Sequence, residues 1–304
     1  MAEIIQRDGT WVFDGTLLRI TPGLHRSVPL LRQAYGAIEV PLEAMAGISF
    51  APERRTGWLR IQLRDGADPL LQATGGRLPG PTDPYRLAVD TSHGAVAEYI
   101  ADEVRRALLL EQVPDGPTAG YLLPGPAVPV SVRCSDGTVS FDGQRIRIDW
   151  SNTSDRIKRV TGPRIFGLDA LTGVEWLPNT GTEEGCLRFL TTHAAFSELP
   201  PEKDPYALDL WGNPRKDMLA VLVAAAVTSR LPHPWGRSRS GSGADDGAAA
   251  GRDRRGRPEV ADHDAVLRRL REAGALHREG VLDEAEFTLV KRAVLRGFED
   301  PPGG

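Results

Sequence analysis

At 304 residues the chain has room for about two domains and an appendage, and its hydrophobic fraction of 40% is enough for sizeable cores. A net charge of -4, with acidic and basic groups split evenly along the chain and the basic "RDRRGR" at 252–257 diluted by nearby aspartates, argues against a nucleic-acid binder. The two cysteines, Cys134 and Cys186, have neither metal-ligand spacing nor enough partners for a disulfide framework, which points to free thiols in a reducing compartment.

The opening residues, "MAEIIQRDGT", lack the basic-then-apolar pattern of a secretory signal. The longest apolar run is "MLAVLVAAAV", Met218 to Val227, well short of the roughly 18 residues of a spanning helix. The expected location is cytoplasmic, with no transmembrane segment.

The first clear element is "TWVFDGTLLRI", Thr10 to Ile20. Asp14-Gly15 supplies a tight turn between two runs of alternating apolar residues, Trp11 and Phe13, then Leu18 and Ile20. Arg19 falls between apolar neighbours, on the wet face. A third strand is expected near "AIEVPL", followed by a turn at Gly47 and a strand at "GISF". Strands at "WLRIQLR" and "YRLAVD" follow, with the glycine-rich "GGRLPGP" between them read as a loop. Val96, Ile100, Val104, Ala107 and Leu108 then recur at helical spacing.

The same order returns. "TVSFDGQRIRI" at 138–148 repeats the first hairpin; "GLDALTGVEW" repeats "PLEAMAGISF"; "GCLRFLT" repeats "GWLRIQL"; "DPYALDL" repeats "DPYRLAV". Leu219, Leu222, Val223, Ala226 and Val227 give a closing helix. A period this long is a domain duplication and not a solenoid. The boundaries read as 1–118 and 119–234. Several antiparallel strands closed by one amphipathic helix make an α+β layer design. The expected architecture is two tandem PH-like bent antiparallel barrels, each plugged by its C-terminal helix.

From 235 to 261 the composition is Gly, Ser, Arg and Ala with almost nothing apolar, and a disordered linker is expected. Residues 262–298 carry two short amphipathic patterns, one through Leu267 and Leu270, the other through Phe287, Val290 and Val294, with Leu282 and Gly280 at the join. A two-helix hairpin of this size needs docking or oligomerisation to be stable. Leu267, Leu270, Leu282, Phe287, Val290 and Val294 are therefore the expected self-association surface.

No chemistry emerges from the motifs. None of the six histidines has a neighbour at metal-ligand spacing, and there is no nucleophile elbow, phosphate loop or dinucleotide fingerprint. No enzyme activity, cofactor or metal is expected. The sharpest binding candidate is "DRIKRV", 155–160, expected as a loop or strand: Arg156, Lys158 and Arg159 beside Ile157 could meet an anionic head group.

Two resemblances complete the reading. Leu267, Leu270, Gly280, Leu282, Glu284, Glu286, Phe287, Lys291 and Leu295 resemble the SHOCT (short C-terminal) domain, which implies an oligomerising tail. The doubled "FDG" and "DPY", with "YLLPGP" at 121–126, make residues 1–234 similar to the bacterial family of tandem PH-like repeats known as domain of unknown function 4429. Neither resemblance implies a catalytic residue. Neither supplies an established activity; the organisation of the chain, without a catalytic motif, leads to the expectation of a binding or scaffold protein whose modules take a protein, a peptide or an anionic head group, clustered by the tail. The alternative is a peripheral membrane protein holding anionic lipid through the second copy.

Overall fold

Alternation of apolar and polar residues produces the expected strands, and an additional strand, not expected, opens each copy. In the computed structural model, which describes residues 1–192 and 199–236, the first copy opens with β1 (Ala2–Gln6), β2 (Gly9–Phe13) and β3 (Leu17–Pro22), then α1 (Leu30–Tyr35) and β4 (Ile38–Pro41). It continues with β5 (Met45–Ala51), β6 (Thr56–Leu63), α2 (Pro69–Thr74), β7 (Arg86–Asp90) and α3 (Gly94–Leu110). The second copy repeats the plan: β8 (Val130–Arg133), β9 (Gly137–Phe141), β10 (Arg145–Trp150), α4 (Arg156–Thr161) and β11 (Arg164–Gly167). It ends with β12 (Leu171–Leu177), β13 (Gly185–Thr191), β14 (Ala207–Leu210), α5 (Pro214–Asp217) and α6 (Ala220–Thr228).

Each copy is α+β, but its strands form two sheets and no closed barrel. The orders are β1-β2-β3-β4 with β5-β6-β7, and β11-β10-β9-β8 with β12-β13-β14, all antiparallel. A short 3-10 turn, Leu42–Ala44 in one copy and Leu168–Ala170 in the other, separates the sheets. Gly47, expected in a turn, sits inside β5 at a register shift against β6, and Gly173 occupies the matching shift in β12. Both are bulge glycines, and the extra residue bends the strand at the same place in each copy.

The other seam, between the first and last strands of each copy, is closed by side chains. Asp8 Oδ2 accepts from the Ala88 amide at 3.2 Å, and Gln6 Oε1 accepts from the Asp90 amide at 3.0 Å. In the second copy Asp136 Oδ2 accepts from the Asp209 amide at 3.0 Å, and Ser135 Oγ accepts from the Trp211 amide at 3.1 Å. Edge amides that strand pairing would otherwise satisfy are met by side chains instead. The hairpin turns behave as expected: Asp14 and Asp142 cap their own turns, and Gly15 and Gly143 adopt φ of 112° and 107°.

The closing helices differ. In α3 the buried stripe is Ala97, Ile100, Ala101 and Val104, while Val96, expected in the core, is 38% exposed. All nine residues of α6 are buried. One side of α6 packs on the strands of its own copy, and the other side is covered by α2 of the first copy. Leu31, Leu70 and Ala73 of the first copy share a core cluster with α6, Phe141, Trp176 and Leu187 of the second. A helix covered on both sides needs apolar residues all round, which explains the run "MLAVLVAAAV".

The segment joining the copies is pinned. Thr118 donates its amide to the Asp65 carbonyl at 2.8 Å, and the Leu122 and Leu123 amides reach the Ala67 carbonyl at 2.9 and 3.0 Å. Beyond α6, His233 hydrogen-bonds the Gly66 carbonyl at 2.9 Å and packs edge-on against Tyr121. The described residues, through Gly236, accordingly fall in one compact unit that holds both copies. The expected linker at 235–261 and the helical pair at 262–298, with Leu267, Leu270, Leu282, Phe287, Val290 and Val294, lie outside the described residues apart from Trp235 and Gly236.

Candidate functional site

The stretch 155–160, expected as a loop or strand, is the start of α4. Asp155 accepts from the Ile157 amide at 2.8 Å as the N-cap, and Gly162, at φ 70°, ends the helix. Helical geometry then separates the three candidate cations. Arg156 and Arg159 are exposed, whereas Lys158 is 0% exposed.

Lys158 has no donor left for a ligand. Its ammonium donates to Asp136 Oδ2 at 2.5 Å, to the Pro201 carbonyl at 2.6 Å and to the Ala207 carbonyl at 2.9 Å. Three donors meet three oxygens. The Trp150 ring lies 4.9 Å from the nitrogen and shields the pair. Lys158 thus ties α4 to the β8–β9 turn and to β14, across the open seam.

The first copy holds the same device with a different cation. Arg32 of α1 is 3% exposed and donates to Asp8 Oδ2 at 2.7 Å, the carboxylate that also takes the β7 amide. Asp8 and Asp136 follow the same position in each copy, each beginning an Asp-Gly-Thr turn that sequence reading passed over for the second Asp-Gly. Gly9 and Gly137 are required there, because an added Cβ would lie 2.7 Å from the Thr21 carbonyl oxygen, or against that of Asp149 in the second copy.

A doubled seam, doubled bulge and doubled ion pair identify two copies of one domain. The sequence model described as "Domain of unknown function (DUF4429)" matches residues 11–105 and 139–228. The chain belongs to this family. No curated protein matches it. Each DUF4429 match runs from within the second strand of a copy to its closing helix, so it takes in Arg32 or Lys158 but not the Asp8 or Asp136 carboxylate that pairs with it. The inter-repeat segment, with "YLLPGP", lies between the two DUF4429 matches.

What remains exposed on α4 is its outer face. Arg156 and Arg159 lie in the same short helix as Ile157 and Val160, which are 49% and 76% exposed. Among the described residues neither arginine has an ion-pair partner. Chemically this face offers two free guanidinium groups around an aliphatic knob.

A second buried carboxylate, Asp68, deserves comparison because acids in clefts can be catalytic. Burial pushes its carboxyl up to about 6. It accepts from the Leu70 and Leu71 amides, both at 3.1 Å, and from the Tyr85 hydroxyl at 2.9 Å. Those bonds commit it to capping α2 and anchoring β7. Burial likewise pushes the Cys134 and Cys186 thiols up, to about 12 and about 11. Both thiols are unpaired, buried and far from thiolate reactivity. Among the described residues no group of three His, Cys, Asp or Glu side chains is placed to hold a metal, and no helix is long and apolar enough to cross a membrane.

Proposed function

We propose that the chain is a non-enzymatic binding and scaffold protein that docks on an anionic lipid surface through α4 of its second copy. The modules are read as PH-like: in each, a four-stranded and a three-stranded sheet face a core closed by a C-terminal helix. The observation that carries the reading is the outer face of α4. Ile157 and Val160 are exposed alongside two arginines that have no ion-pair partner among the described residues. Such a convex patch suits a bilayer surface, where aliphatic tips enter the head-group region and cations meet lipid phosphates. Lys158 takes no part; Arg156 and Arg159 carry the contact.

Each cation near an anionic membrane contributes about 1 kcal/mol, so one such patch is a weak anchor. The SHOCT-like tail supplies the remedy in this reading: clustering copies through Leu267, Leu270, Leu282, Phe287, Val290 and Val294 converts weak contacts into avidity. A protein or peptide partner on the same face is the alternative.

Flotation of the full chain with vesicles tests the proposal. The chain is expected to float with vesicles containing phosphatidylserine and to remain behind with phosphatidylcholine alone. Arg156→Glu with Arg159→Glu is expected to abolish flotation without changing the circular dichroism spectrum. Absence of flotation, or flotation indifferent to lipid charge, sinks the proposal.

A further inference from the structure

The first copy uses its α1 face in another way. Instead of standing free like α4, α1 turns toward α5 of the second copy. Between the copies lies a cleft of about 750 Å³. One wall is the loop from Arg26 into α1 together with 79–82; the other is 179–180 and the segment from Asn213 to Met218.

The lining combines two chemistries. Leu30, Pro79, Pro214 and Met218 give an apolar wall stiffened by proline rings. The charged residues among the described lining are Arg26, Arg215 and Lys216, with no Asp or Glu. All three are exposed, and none is ion-paired with a described residue. The nearest carboxylate in sequence, Asp217, is turned inward. It accepts from the Ser135 amide at 2.9 Å, the Ser135 hydroxyl at 3.0 Å, Asn179 Nδ2 at 3.2 Å and the Gly212 amide at 2.9 Å. With its oxygens committed, it leaves Arg215 and Lys216 un-neutralised.

Concave apolar walls with a few convergent polar groups are the usual form of a small-molecule site, and this volume lies within the common range of roughly 300–1,000 Å³. We infer that the inter-repeat cleft binds an amphiphilic anion, with its apolar body against Leu30, Pro79 and Met218 and its carboxylate or phosphate head held by Arg26, Arg215 and Lys216. A flat bilayer does not enter a concave cleft, so this site is separate from α4.

Anilinonaphthalene sulfonate, an apolar body with an anionic head, is the probe, with uncharged N-phenylnaphthylamine as control. The full chain is expected to bind one sulfonate probe per chain in a saturable manner. Octanoate or octyl phosphate is expected to displace it, and whichever competes better assigns the head group. Arg26→Glu with Lys216→Glu is expected to weaken sulfonate binding about tenfold or more, a loss of about 1.4 kcal/mol or above, while leaving the uncharged probe unaffected. Arg156→Glu with Arg159→Glu is expected to change neither, which keeps failure of the membrane reading distinct from failure here. Non-saturable binding, displacement by neither competitor, or indifference to charge reversal in the cleft overturns the inference.

Discussion

A lysine ammonium taken out of water loses its hydration shell, and only near-complete pairing offsets that loss. Lys158 meets the condition with one carboxylate and two carbonyls, and in the first copy the buried Arg32 is paired with the Asp8 carboxylate and carbonyl. Removing one partner of such a pair costs about 3–5 kcal/mol, because the other charge stays buried. Lys158→Ala is therefore expected to lower the urea midpoint sharply, and Arg156→Ala, two residues away on the exposed side, to stay within about 0.5 kcal/mol of the parent. Tryptophan fluorescence during urea titration measures both; equal effects would put Lys158 back on the surface. The distinction between these neighbours was not legible in the sequence. "RIK" alternates charge and aliphatic residues as a strand does, but Asp155 caps a helix there and Lys158 lies on its buried side. The signal that was available was the repeated Asp-Gly-Thr, which marks the carboxylate that the cation needs.

At the scale of elements, α2 shows what else could have been read. Asp68, Pro69 and Gly75 are a side-chain cap, a proline in the first turn and a left-handed glycine at the end, in the order a short helix requires. The helix was hidden because only six residues separate those signals, too few for periodicity to register. Its cap also sets a pH dependence. The Asp68 carboxyl is pushed up to about 6 by burial, against 3.8 in an exposed chain. Between roughly pH 4 and 6 the folded protein keeps a proton there that the unfolded chain has released, so stability falls as pH rises through that window. Asp68→Asn keeps a capping oxygen and cannot ionise. Its unfolding free energy is expected to decline less than the parent's between pH 4 and 7, with a residual slope from Asp209, which burial also pushes up to about 6, and from Asp83, whose carboxyl burial also raises. An unchanged slope in urea titrations across that range would show that Asp68 ionises normally. By contrast, the hairpins and most strands were legible, since period-two alternation and Asp-Gly turns depend on local chemistry alone. The 3-10 breaks and the side-chain seams were not, because they depend on where the fifth and first strands lie in space.

At the scale of the molecule, duplication has produced one body and not two beads. The repeated motifs disclosed the copies but gave no hint that α2 of one would cover α6 of the other, because a covered helix and a self-contained apolar helix read alike. The consequence is mechanical: a cleft walled by both copies keeps its shape only if the copies do not separate. Hydrogen exchange read by mass spectrometry on the full chain carrying Leu70→Ala tests that fusion directly. The substitution leaves a cavity in the shared core and should cost about 2–5 kcal/mol. Protection is expected to fall in β9, β13 and α6 of the second copy as much as in β6 and β7 of the first. Loss of protection confined to residues before 118, with the second copy unchanged, would mean that the two copies fold and stand independently.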